Sequence, residues 1–567
     1  MHSNLKFIFV STFILFVSQL TVFGSNVSDE RLLDKVKEKT TLFFSLNRKN
    51  TKDECGAHPE SGFIRDTFVL PNAGPRGSFS YDRCATGGTG MGLMALVVGV
   101  ENQYVTRESA VNQILNMFNF LQNKINSEEI NPGYKNWKGA FPHWMSGKTG
   151  KLYSSYVGDF TGVDDGADIV ETSYFIQGVL VVHQYFNKNT PKENKLREMA
   201  DKIWKTVDWN HYIDADNAKQ FHWHCSSDAG NPWKTKAYVS GFNECMIVYI
   251  LGLASPTHPI PVEAYYEGWA GNDSYKKPIG TYLFFGNLFS EQTQIIQQPG
   301  WGYRMPIFWT QYSFLGFDPD FNDRIIPIKT NKKNQYFSYK KVFTEISKIN
   351  RKYCQLNPGG YAGYSNKIWG LTASLNPWGY GAQAPIYINN NSNIYTPSPA
   401  RIICDNGTVT PTAAISSIIY TPDAALTAVK SFFKLDRNLK EKGKTGIWNK
   451  YGFVDAFNLN TSIYNNKLPE KSAVPKQFEE LAKKLKVQFQ DNTVVRKKKL
   501  SKTWISNSYL AIDQAPISIM LENHRTGLIW NLFMSHPDIK KLQKKLSKIN
   551  YESDGRYQNW KFYHNSQ

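Results

Sequence analysis

An all-α fold is predicted here: a double ring of helices closed as an (α/α)6 toroid, with small β elements in its loops. Three observations predict it. Several stretches are apolar nearly all round the helix, which demands burial on every side. Amphipathic stretches with one wet face stand between them. Each buried stretch is entered through a turn containing Gly, Thr or an acid, so chain entry and polar chemistry gather at the same places.

The first element, "MHSNLKFIFVSTFILFVSQLTVFG", has a short positive region at Lys6 and an apolar run over residues 7 to 17. That run is shorter than the roughly 20 residues of a spanning helix. Val22 and Gly24 make a small-residue cleavage site. The expectation is a signal peptide over residues 1–24, a secreted or endolysosomal product, and no stable membrane insertion. The first buried helix follows at "CATGGTGMGLMALVVGV" from Cys84, then the amphipathic "TRESAVNQILNMFNFLQNKI". The second is "GADIVETSYFIQGVLVV" from Gly166, followed by "ENKLREMADKIWKTVDW". "GFNECMIVYILGLA" starts at Gly241. "TPTAAISSIIY" starts at Thr410 with Pro411 suited to a first helical position, followed by "PDAALTAVKSFFKLD". The last, "IDQAPISIMLENHRTGLIWNLF", starts at Ile512. Strand-like pieces occur near "PIYINNNSNIYTPSPARIIC". A Lys-rich stretch over residues 465–502 reads as a solvated surface insertion. No linker divides residues 25–567, which read as one catalytic domain, expected to act as a monomer.

Formal net charge is +18 with a pI near 9.3. Charge of this kind speaks to association rather than fold, and an acidic pocket argues against a nucleic-acid partner. Six cysteines, Cys55, Cys84, Cys225, Cys245, Cys354 and Cys404, allow up to three disulfides in an oxidising compartment, or free core thiols. Sequons stand at Asn26, Asn272, Asn390, Asn406 and Asn460.

The chemistry concentrates in "DDGADIVETS". In a helix, Asp164, Asp168 and Glu171 fall at i, i+4 and i+7 on one face. Asp168 and Glu171 have capping-box spacing, but one acid satisfies a helix start and four, with Asp165, repel one another. Glu244 opens "ECMIVYILGLA", where desolvation favours a protonated general acid. Asp513 stands in "YLAIDQAP". Glu522 and Arg525, three apart, read as a structural pair. Carboxyls at one end of a helical ring suit glycoside hydrolysis, which needs one protonated and one ionised group. Trp144, Trp309, Trp369 and Trp378, all in polar loops, are candidates to stack on sugar rings. "SGKTG" and "KGKTG" lack the upstream Gly of a phosphate-binding loop. "FHWHC" offers His222, His224 and Cys225, weak support for a metal; neither a metal nor another cofactor is expected.

The blocks "GAHPESGFIRD", "TGGTGMGLMAL", "FPHWMSGKTGK", "DDGADIVETS", "GFNECMIVYILGLASPTHPI", "WGLTAS", "GTVTPTAA", "YGFVDAFN" and "YLAIDQAPISIMLEN" resemble, in order, those of the glycoamylase-like family. That family includes bacterial β-1,2-glucanases of glycoside hydrolase family 144. The resemblance implies an (α/α)6 barrel acting on β-1,2-glucan or sophorose-type oligosaccharides. It also implies acids at Asp164, Asp168, Glu171, Glu244 and Asp513, with Glu244 matching the proposed general acid. The cysteines, the sequons and the Lys-rich insertion depart from the bacterial pattern. The expected function is a secreted, inverting hydrolase of β-glucan. A non-catalytic carbohydrate-binding protein on the same fold is the alternative; retained glucan binding without turnover separates the two.

Overall fold

The structure, a computed structural model, describes residues 27–46, 54–70, 82–156, 163–217, 219–241, 243–269, 280–282, 293–295, 305–323, 337–357, 361–377, 379–385, 387–388, 393–395, 405–459, 488–490 and 503–547. The leader, Trp378, Cys404, the sequons at Asn26, Asn272, Asn390 and Asn460, and the 465–502 insertion apart from 488–490 lie outside the described residues.

The fold is mostly helical, with short antiparallel strands between the helices. Five helices are buried throughout, or nearly so: α2 (Thr86–Glu101), α4 (Ile169–Tyr185), α6 (Met246–Ala254), α8 (Pro411–Ser416) and α10 (Ala511–Thr526). In space they follow one another as α8, α10, α2, α4 and α6. Amphipathic helices pack outside them: α1 (Val27–Thr41), α3 (Arg107–Phe120), α5 (Pro191–Thr206), α7 (Tyr339–Leu356) and α9 (Pro422–Glu441). The last two helices are α11 (Leu528–Ser535) and α12 (Pro537–Ser547). One contiguous apolar core runs from Val36 to Leu542. None of the described helices is long and apolar enough to cross a membrane.

α2 and α4 meet along glycines. A Cβ on Gly90 would stand 2.2 Å from Phe175 Cα, and one on Gly178 would stand 2.1 Å from the Gly90 carbonyl oxygen. Only bare backbone permits that approach. The apolar stretch from Ile512 is two helices rather than one. Gly527 adopts φ +67°, the left-handed conformation that ends a helix, and divides α10 from α11.

Short strands lead into the buried helices. β2 (Arg83–Ala85) precedes α2, β4 (Gly166–Asp168) precedes α4, β8 (Thr408–Val409) precedes α8, and β11 (Ser508–Leu510) precedes α10. Their antiparallel partners are β3 (Trp144–Ser146), β5 (His224–Ser226), β9 (Phe457–Asn458) and β1 (Thr67–Val69), respectively. β10 (Trp504–Ile505) joins β9 on its other side. Another hairpin joins β6 (Ala373–Asn376) to β7 (Gly379–Ala382).

The five described cysteines, Cys55, Cys84, Cys225, Cys245 and Cys354, are buried free thiols. Asn406 is 5 % exposed, and its neighbour Thr408 pairs in the ladder with Asn458, so this sequon is folded into the core.

Candidate active site

The acids sit where strands become helices. Asp164 closes a two-residue strand, Asp168 is the N-cap of α4, and Glu171 is in its first turn. The shared helical face expected for Asp164, Asp168 and Glu171 is therefore corrected, because the helix begins only at Ile169. Gly166 explains the strand: a Cβ there would fall 2.0 Å from the Cys225 carbonyl oxygen, so the backbone of β4 lies flat against β5. The acids converge all the same, through ladder and cap instead of helical periodicity.

Asp168 Oδ1 accepts from Val170 N (2.8 Å) and Glu171 N (2.9 Å), and Oδ2 accepts from Trp223 Nε1 (3.1 Å). Glu171 does not reach back to complete a capping box. Its Oε2 accepts from Gly87 N at 2.7 Å, serving the start of α2, whose own N-cap, Ala85, has no side-chain acceptor. A Cβ on Gly87 would lie 2.5 Å from that oxygen, so any larger residue would have to displace the Glu171 carboxylate.

His143 is the residue the sequence reading passed over. Its Nδ1 lies 3.4 Å from Asp168 Oδ2 and 3.6 Å from Asp164 Oδ2, and its Nε2 lies 3.5 Å from Glu171 Oε1. The imidazole stacks on Trp144 at 3.5 Å between centroids. Trp144 in turn donates to Asp66 Oδ1 (3.2 Å), and the Arg83 guanidinium lies 5.2 Å from its ring. Trp144 thus backs His143. His224 Nδ1 stands 3.6 Å from Asp164 Oδ1 and 3.7 Å from Asp168 Oδ2. Its partner in "FHWHC", His222, stacks instead on Trp233.

Burial works against charge on His143, but Glu171, Asp164 and Asp168 outweigh it and hold the imidazole protonated well above its ordinary range. His224 is likewise raised: burial opposes the charge, and Asp164 and Asp168 prevail. Burial would lift Asp164, yet the two histidines hold it at about 2. Burial lifts Glu171 to about 7 despite His143, with Asp168 adding to the rise. The neighbourhood therefore sorts its acids into ionised and protonated members, as acid–base chemistry requires. His143, Asp164 and Asp168 bring donor atoms within 4.8 Å of one another. A protonated imidazole offers N–H groups rather than a lone pair, so a metal there would have to displace that proton.

Glu244, two residues ahead of α6, is half-buried with its backbone pinned. Its carbonyl accepts from Tyr174 Oη (3.2 Å) and from Ser313 Oγ. Burial, with Asp168 and Glu171 adding, lifts its carboxyl to about 7. Asp513 is buried in the first turn of α10 beside Asp455, a residue the sequence reading quoted but did not nominate. Glu522 and Arg525, expected to pair, do not: Glu522 bonds Lys37 (2.7 Å) and Arg525 bonds Asp34 (2.6 Å).

The tryptophans divide. Trp309 and Trp369 are 2 % and 0 % exposed, core residues with no open face for a sugar. Tyr380 on β7, 50 % exposed, presents a ring beside Asp513 and Asp455 instead. The signal that could have found Tyr380 is its place between two glycines, next to the turn of a hairpin.

The family model Glycoamylase matches residues 236–537. An exo β-1,2-glucooligosaccharide sophorohydrolase of Parabacteroides distasonis is 32% identical over 532 residues, 92% of this chain. The chain spans 58% of that relative's length. Among solved structures, an endo-β-1,2-glucanase of Chitinophaga pinensis, in complex with sophorotriose and glucose, is 32% identical with a TM-score of 0.67. That match covers 92% of this chain and 98% of the other. A β-1,2-glucanase of Parabacteroides distasonis is 31% identical with a TM-score of 0.66, over 93% of this chain and 61% of its own. The acids at its helix entries sit in a sequence and a fold shared with these proteins, and the chain belongs to the glycoamylase-like family.

Proposed function

We propose that the chain is a glycoside hydrolase that cleaves β-1,2-glucan or its oligosaccharides with inversion. It works as one catalytic unit on an (α/α)6 barrel, exported from the cell. The observation that carries the reading is Glu244, a carboxyl raised to about 7 by burial with Asp168 and Glu171 adding to the rise. Glu244 protonates the leaving oxygen. A carboxylate facing it, Asp513 or a member of the 164–171 cluster, takes a proton from the attacking water. The remaining acids and His143 bind hydroxyls and orient that water. The order of the buried helices and the relatives' activities support the barrel and the linkage. The apolar leader supports export.

The test is hydrolysis of β-1,2-glucan beside β-1,3-, β-1,4- and β-1,6-glucans, with proton NMR of the first products. Turnover confined to the β-1,2 polymer, releasing the α-anomer first, is expected. Absence of turnover, or preference for another linkage, overturns the assignment. Protein recovered outside its cell is expected to begin near Ser25.

A further inference from the structure

Asp455 lies in the turn between Gly452–Phe453 and β9, and Asp513 in the first turn of α10. Both are buried, and their carboxyls are within hydrogen-bonding reach of each other. Asp455 is fixed at both ends: its N–H donates to the Ser508 carbonyl (3.1 Å) and its Oδ2 accepts from Leu375 N (2.8 Å). Asp455 Oδ1 and both Asp513 oxygens accept from no N–H or hydroxyl among the described residues. No lysine, arginine or histidine among the described residues pairs with either carboxyl. The titratable groups facing the pair are Tyr312 and Tyr380, and of these Tyr380 also feels Asp66 and both feel Glu244. None of these is a cation. Two carboxylates in contact, buried and without a counter-charge, do not both ionise.

We propose that Asp455 and Asp513 hold one proton between them and act as a single base, with Asp455 the positioning residue through which Asp513 takes a proton from water. This rests on the hydrolase reading above. The Leu375 N–H favours the negative charge on Asp455, and the proton therefore sits on Asp513. As water attacks the anomeric carbon, its O–H bond breaks and the proton passes to the open oxygen of Asp513. Asp513's own proton moves to Asp455. The bond from the anomeric carbon to the leaving oxygen breaks as Glu244 gives up its proton. The pair goes from one proton and one charge to two protons and none, while Glu244 becomes the anion, so net charge is conserved. Buried carboxyls of raised pKa agree with this sharing.

Asp455→Asn and Asp455→Leu test it together. Asn supplies an N–H that keeps an ionised Asp513 supported; Leu has the size but no donor. Asp455→Asn is expected to lower kcat about tenfold, with KM and the acid limb of the pH profile nearly unchanged. Asp455→Leu is expected to lower kcat about 100-fold or more and to move the acid limb upward. Equal losses with an unmoved limb, or unimpaired activity in both, overturn the proposal. A second measurement needs no substrate. The folded pair binds a proton that the unfolded chain releases near pH 4, so its contribution to stability declines as pH rises above about 4. That decline in Tm between pH 4 and 8 is expected to be shallower in Asp455→Asn than in the parent. Superimposable slopes overturn the sharing, even where the glucan assay succeeds; a shallower slope supports it, even where that assay fails.

Discussion

Glu244 must be protonated to act, and its carboxyl titrates at about 7. The sign follows directly: kcat/KM is expected to fall as pH rises through about 7, because the deprotonated form has nothing to donate. Glu244→Gln keeps the size but not the proton, so turnover of glucan is expected to drop by about 10²- to 10⁴-fold. On an aryl glycoside, whose leaving group needs little protonation, the loss should be much smaller; equal losses on both substrates would make Glu244 a binding residue. Glu244 was legible in the sequence because a lone acid before a wholly apolar helix has few ways to stay ionised. His143, His224 and Asp455 were not. Their roles come from contacts across 21 to 60 positions of sequence, and a histidine beside a tryptophan carries no local mark of three carboxylates around it.

At the scale of elements, the seam between α2 and α4 sets the site, since Gly87 on one bonds Glu171 on the other. Gly178→Ala would drive a methyl against the Gly90 carbonyl, an obstacle of backbone rather than side chain. The expected cost is about 1–3 kcal/mol or more, read by denaturant unfolding, with activity falling as α4 is displaced. Unchanged stability would show that the seam has slack. The buried helices were legible because all-round apolarity leaves no other placement, and Pro411 indeed starts α8. What misled was the start of α4. Acids at helical spacing suggested a helical face, but Gly166 permits a close strand contact that only the partner strand reveals. Trp309 and Trp369 misled similarly, since polar neighbours in sequence do not report the tertiary burial of a large ring.

At the scale of the molecule, Lys37 of α1 and Glu522 of α10 form an ion pair at 2.7 Å, each side chain 2 % exposed. Asn102 at the end of α2 bonds both partners. Burial alone would raise Glu522, but Lys37 holds it below the carboxylate range. Lys37→Met strands a buried charge and is expected to cost about 3–5 kcal/mol, measured by denaturant unfolding. Lys37→Met with Glu522→Leu should recover most of that loss; a double variant as unstable as the single one would contradict it. The pair also fixes when the molecule can be finished. Its members are 485 residues apart, and a ribosome adding about 5–20 residues per second needs roughly 25–100 s to cover that interval. Throughout it α1, the first described helix to be made, has neither α10 nor the Glu522 carboxylate to dock against. Phe43, just after α1, meets Phe68 early but Tyr451 and Tyr509 only late. The nascent chain therefore holds α1 and the more apolar α2, both of which pack on α10, unfinished until the last of the buried helices is made, and chaperone dependence should track the time to translate α10 rather than the time to make any helix before it.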